Sequence, residues 1–177
     1  MHTTITKTFT AETAHWLRNH GGQCRNLHGH SYIYRISITG KVLQEENALG
    51  IPGMVMDFAN LKTVFNTTVG LFDHATLAPW TLQEYMTIFL PRNPDLIELW
   101  DSKIYCCGQD PTAEFLAKLT AHSIVESLTR NYGRATDHLR GIAVEVFETA
   151  TSSASYLMNF EGQLSSNGLL HEIWRNN

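Results

Sequence analysis

The sequence predicts an α+β fold in which an antiparallel sheet is covered on one face by two helices. Three features carry this expectation. Strand-like runs open the chain, two helix-like patterns occupy its middle, and strand-like runs return towards the end. Strands grouped around a helix pair differ from the strict strand–helix alternation that builds a parallel sheet. At 177 residues the chain has the length of one domain with a core of its own.

The elements follow in order. ITKTFTA (Ile5–Ala11) alternates and places Ile5, Phe9 and Ala11 on one face of a strand. From Ala11 to Leu27 the chain is polar and contains Gly21-Gly22, which reads as a loop. HSYIYRISITGKV (His30–Val42) is rich in Tyr, Ile and Thr and reads as a long second strand. Asp57 is placed to cap a helix running to about Leu71, with Phe58, Leu61, Phe65 and Thr68 on one stripe. Asp110-Pro111 reads as the start of a second helix, a carboxylate at the cap followed by proline. Its buried face would be Ala113, Ala117, Ala121, Ile124 and Leu128. GIAVEVFET (Gly141–Thr149) is a third strand and SASYLMNF (Ser153–Phe160) a fourth that pairs with it. Residues 78–110 read as an insertion, with a short helix at Leu82–Phe89. The expected organisation is therefore one domain over 1–162 and a tail over 163–177.

Composition excludes several classes of function. Hydrophobic residues are 43% and charged residues 17%, as in a globular chain rather than a disordered one. A net charge of −4 argues against a broad nucleic-acid surface. No apolar run approaches the ~20 residues that span a bilayer, and MHTTITKTFT lacks the apolar core of a signal peptide. Three cysteines, two of them adjacent as Cys106-Cys107, make a poor disulfide framework and suggest a reducing, cytoplasmic setting.

The chemistry concentrates in CRNLHGH (Cys24–His30). On a strand, His28 and His30 would face the same side, close enough for both imidazoles to reach one ion. Gly29 between them would let another segment approach closely. His15 lies upstream. If Cys24 also ligates, the set is a closed structural site; if it does not, three neutral histidines leave a position open, as in catalytic zinc centres. Spacing alone leaves both readings standing. In LFDHATL, Asp73 and His74 are either a polar helix end or a carboxylate–imidazole pair for proton transfer. Strand periodicity puts Glu148 on the side of Ile142, Val144 and Val146, where a carboxylate needs partners. The donor edge of a pterin or guanine would supply two hydrogen bonds; otherwise the strand frays there and Glu148 is solvated. His2, His20, His122, His138 and His171 lack a partner constellation and read as ordinary histidines.

Taken together, FTAETAH (Phe9–His15), C-x-x-x-H-G-H (Cys24–His30), GMVMDFANLK (Gly53–Lys62), FDH-x-x-L (Phe72–Leu77), PTAE (Pro111–Glu114) and FET (Phe147–Thr149) resemble the 6-pyruvoyltetrahydropterin and 6-carboxytetrahydropterin synthase family. The resemblance covers residues 5–76 and 110–158. It implies a tunnelling fold: a four-stranded antiparallel sheet with two helices, joined into trimeric barrels and paired as a hexamer, a dimer of trimers. It implies zinc on His15, His28 and His30, with Cys24 as catalytic base rather than a ligand. It implies a proton relay through Asp73 and His74, a pterin anchor at Glu148 that also takes part in the relay, and a pterin contact at Thr112. The three residues between Cys24 and His28 look like the carboxytetrahydropterin synthases of queuosine (7-deazaguanine) biosynthesis. Those would take 7,8-dihydroneopterin triphosphate to 6-carboxy-5,6,7,8-tetrahydropterin, acetaldehyde and triphosphate. The pyruvoyl-forming reaction on the same substrate and a noncatalytic zinc-stabilised module are the competing expectations. Departures from the family are Ala78, where asparagine is frequent, the long 78–110 insertion, and the tail.

Overall fold

The computed structural model describes residues 1–92, 103–160 and 174–175. Strands β1 (Thr3–His15) and β2 (His28–Gly40) form a long antiparallel hairpin, paired without interruption from Thr3↔Gly40 to His15↔His28. Helix α1 (Phe58–Asn66) and strand β3 (Ala75–Ala78) follow. A composite helical segment over 82–92, α2, contains a π-helical turn at Tyr85–Phe89. Then come β4 (Ile104–Cys106), the long helix α3 (Ala113–Tyr132), β5 (Leu139–Thr149), β6 (Ser152–Asn159) and the two-residue β7 (Trp174–Arg175). Among the described residues, no helix is long and apolar enough to cross a membrane.

The sheet order is β6-β5-β2-β1-β3-β4-β7. Its first four strands are the expected antiparallel set. The sheet is nevertheless wider than the four strands expected: β3 and β4 add in parallel beyond β1, and β7 closes against β4. These additions are two to four residues long, too short to show alternation, and ATLA is mostly buried, so it has no polar face to betray it. The supposed insertion thus contributes to the sheet itself.

Three boundaries differ from expectation. The first strand runs on to His15 instead of turning into a loop at Ala11. Thr13 and His15 hold its inward positions and are buried despite being polar, which hides the period. Asp57 caps α1 as expected, accepting from Ala59 N at 2.7 Å, but the helix stops at Asn66. There the hydroxyls of Thr67 and Thr68 bond back to the carbonyls of Thr63 and Val64, and a 3-10 turn at Val69–Phe72 takes over. Phe58, expected on the buried stripe, is instead exposed at the helix start with the Lys7 ammonium 5.5 Å from its ring. Helix α3 is capped by Thr112, whose hydroxyl accepts from Phe115 N at 3.3 Å, and not by Asp110. The Asp110 carboxylate instead accepts the backbone amides of Arg18 and Asn19.

The core lies between one face of the sheet and helices α1 and α3. Tyr32, Tyr34, Ile36 and Ile38 of β2 and Ile142, Val144 and Val146 of β5 are buried beneath Leu61, Phe65, Ala117, Ala121, Ile124 and Leu128. Phe9 stacks on Phe65 with centroids 4.1 Å apart. Each large apolar side chain fully buried here stabilises the fold by roughly 1.5–3 kcal/mol. The opposite sheet face is polar and exposed, with Thr4, Thr6, Thr8, Thr10 and Ser31 on it, yet Leu157 stands on it 73% exposed. The tight β1–β2 register matters most for function, because it places the end of β1 beside the start of β2.

Candidate functional site

At that end of the hairpin, His15 is paired with His28, and His30 follows one pleat later. All three face the core side. One ring nitrogen from each lies within 4.8 Å of the others, the only such grouping of His, Cys, Asp and Glu among the described residues. Tetrahedral zinc with Zn–N of ~2.0–2.1 Å would place its nitrogens ~3.3 Å apart, within a small side-chain adjustment of this arrangement.

The hydrogen bonds fit a metal. His15 Nδ1 donates to the Pro111 carbonyl at 2.9 Å and His28 Nδ1 to the Asn26 carbonyl at 2.7 Å. Outer partners of this kind fix the tautomer and leave each Nε2 lone pair for an ion. His30 Nε2 is buried and has no hydrogen-bond partner among the described residues, an arrangement that is costly unless something fills it. Burial pushes the His15 pKa down, outweighing the backbone bond and the nearby Glu148 charge that raise it, which favours the neutral ring that a ligand must be. The residues present therefore suit a three-histidine zinc centre. Gly29 is not essential to the approach of the strands, since a Cβ there would meet Thr13 O at an ordinary 3.4 Å.

Glu148 arrives from the end of β5, where the ladder slips between Phe147 and Thr149. Its Oε1 lies 3.5 Å from His15 Nε2 and 3.8 Å from His30 Nε2. Tyr32 donates its hydroxyl to the same oxygen at 3.1 Å. Tyr32 escaped the sequence reading, although it continues the His28, His30 face by one more alternate position. Burial first, and then Glu148, hold its phenol pKa well above the ordinary value, so it stays a protonated donor.

Cys24 sits in the 3-10 turn Gln23–Arg25, half-buried and outside the three-histidine grouping. It lies near enough to act electrostatically on the Tyr32 phenol. Asp73 and His74 follow the Val69–Phe72 turn. Glu12 of β1 holds both: its amide donates to Asp73 Oδ1 at 2.8 Å and its carbonyl accepts His74 N at 2.7 Å. His74 has φ +54°, a left-handed conformation that β-branched residues avoid and that marks a constrained position. The two side chains approach to 3.8 Å and are 42% and 77% exposed. Among the described residues, neither is hydrogen-bonded or ion-paired to Cys24, Glu148 or the three histidines. His74 borders an open cleft of about 670 Å³ together with Glu12, Ser31 and Lys103; of the three histidines only His30 touches it, and neither Cys24 nor Glu148 does. Thr112 is beside Pro111, the partner of His15, and its hydroxyl is engaged in capping α3.

Of the remaining histidines, three have local partners: His122 with the Tyr156 hydroxyl, His138 with the Val55 carbonyl, and His20 with the Gly22 amide. His171 lies outside the described residues. Cys106 and Cys107 are free and buried, and burial raises the Cys106 thiol to about 11.

Fold and site together define a class: an α+β protein with a three-histidine cluster that could hold a metal, placed where a strand hairpin meets the N-terminus of its long helix. The model for the family described as 6-pyruvoyl tetrahydropterin synthase matches residues 4–159, and the chain belongs to that family. A 6-carboxy-5,6,7,8-tetrahydropterin synthase of Aquifex aeolicus is 30% identical over 168 residues, covering 86% of this chain and 96% of that one. One from Haemophilus influenzae is 27% identical with the same coverage. The crystal structure of 6-pyruvoyl tetrahydropterin synthase from Plasmodium vivax superposes with TM-score 0.64 at 15% identity, over 90% of this chain and 99% of that one. The tunnelling fold is thereby established for this chain.

Proposed function

We propose that the protein is a zinc-dependent carbon–carbon lyase that converts 7,8-dihydroneopterin triphosphate and one water to 6-carboxy-5,6,7,8-tetrahydropterin, acetaldehyde and triphosphate, in queuosine biosynthesis. The observation that carries a catalytic metal site is the convergence of His15, His28 and His30 with the Glu148 carboxylate beside them. The Cys24-x3-His28 spacing and the names of the curated relatives favour the carboxy-forming outcome.

In this reading His15, His28 and His30 hold zinc, which when bound supplies Lewis-acid polarisation of the substrate's side-chain hydroxyls. Glu148 accepts hydrogen bonds from the donor edge of the pterin ring and is kept in place by Tyr32. Thr112 contacts the ring. Cys24, as thiolate, removes a side-chain proton. His74, with Asp73 beside it, exchanges protons with the substrate, and Glu148 shares in that relay. The test is to incubate the zinc-loaded protein with dihydroneopterin triphosphate and identify products by mass. Acetaldehyde with the carboxy-pterin is expected. A pyruvoyl-pterin without acetaldehyde would reassign the reaction, and no turnover by zinc-loaded protein would reduce the site to a structural one.

Glu148→Gln should keep zinc and weaken pterin binding by about 1–3 kcal/mol, because the amide presents a donor where the ring also donates. Calorimetry with a pterin ligand checks this; unchanged affinity removes Glu148 as the anchor.

The assembly we propose is a hexamer of two trimers. Strand β6 ends the sheet, with Leu157 exposed beside that edge, and barrel closure by neighbouring copies would cover both. Light scattering at micromolar concentration should give about six chains per particle; a monomer would contradict it.

A further inference from the structure

We propose that the segment following β3 is a positioning clamp for Cys24, with the Arg18–Glu84 pair as its contact point; the inference rests on the role of Cys24 proposed above. The connection from β1 to β2 that carries Cys24 is tied within itself by short-range turn hydrogen bonds, such as His20 N to Leu17 O and Asn26 N to Gln23 O. Its 3-10 turn buries no residue. Its ends meet through one backbone bond, Leu17 N to Cys24 O at 2.8 Å. Whatever fixes Leu17 therefore fixes Cys24.

Both neighbours of Leu17 are held from the 78–110 segment. Trp16 packs against a small cluster of its own, built on Ala78, Tyr85 and Cys106, apart from the main core. Arg18 Nη1 donates to Glu84 Oε1 at 2.9 Å, and its guanidinium lies 4.6 Å from the Trp80 ring centroid. Glu84 is itself immobilised, because its other oxygen accepts the Thr81 amide and hydroxyl in a capping box. The Asp110 carboxylate, free of the helix-capping role expected for it, takes the Arg18 amide at 2.7 Å. An exposed ion pair alone contributes little to stability. An ion pair, a stacked ring and a carboxylate converging on one residue instead restrict its position, and catalytic rates are sensitive to displacements of about 1 Å.

The experiment uses zinc-loaded protein and two variants, Arg18→Ala and Glu84→Gln, with Arg18→Lys as the conservative control. Iodoacetamide labelling of Cys24 is followed by mass spectrometry across pH, with buried Cys106 and Cys107 as internal references. Turnover and zinc content are measured on the same samples. The clamp predicts that Arg18→Ala changes the Cys24 labelling rate by at least about threefold and lowers kcat by at least about fivefold, with KM within about twofold and full zinc. Glu84→Gln should move the same readouts in the same direction, and Arg18→Lys should recover most of the loss. Wild-type Cys24 labelling in both variants would overturn the clamp, as would equal exposure of all three cysteines with zinc loss, the mark of general unfolding. Full activity of a Cys24→Ala variant would defeat the role given to Cys24 but not the clamp, because labelling requires no turnover.

Discussion

Cys24→Ala is expected to keep its zinc and its fold and to lose ~10²–10⁴-fold in turnover, the usual cost of removing a general base. The thiol lies outside the grouping of His15, His28 and His30. Those three rings already make a complete protein ligand set for a catalytic zinc, whose fourth position serves the substrate. Cys24 is half-buried on a turn none of whose own residues is buried, so truncating it opens no core cavity. Its place within electrostatic reach of Tyr32, which donates to Glu148, suits a group that exchanges protons with a substrate held there. Zinc content and product formation, measured on one sample, check the prediction. Joint loss of metal and activity would make Cys24 a ligand; survival of both would move the base to His74.

His28→Ala is expected to abolish both metal and turnover while leaving the chain folded. His28 stands at the open end of β2, only half-buried, and its loss removes no core contact. It does remove one of the three proposed ligands and the Asn26 carbonyl bond that orients it. Disrupting an outer partner of a metal ligand costs ~10–100-fold in affinity, and deleting the ligand itself should exceed that. Metal analysis after dialysis is the measurement. Full zinc in His28→Ala would refute the three-histidine assignment, and with it the proposed chemistry.

Much of the architecture is legible in the chain because its long elements are strictly periodic. The two hairpin strands, the β5–β6 pair and the buried stripe Ala117, Ala121, Ile124, Leu128 all alternate or repeat over many residues. Where polar residues occupy inward positions the pattern fails, so Thr13 and His15 concealed the last third of β1. Helix ends were misplaced for a different reason. Asp110-Pro111 has the composition of a cap, but Arg18, 92 positions earlier, claims that carboxylate. Local preference yields to a contact that local sequence cannot display.

The site divides along the same line. His28 and His30 share a face through strand period alone, and Glu148 lies with the inward row of β5 by the same rule. Sequence by itself therefore determined the types of the long elements, the facing of these side chains and, through its six ordered motifs, the family. Only tertiary structure decided that His15 pairs with His28, that Pro111 and Asn26 carbonyls orient the rings, and that Tyr32 steadies Glu148. It alone set Cys24 outside the histidine grouping and Arg18 on Glu84. The physical reason is range: periodicity reports which way a side chain points within its own element, whereas distances between atoms scores of residues apart depend on register and packing, which no single segment contains.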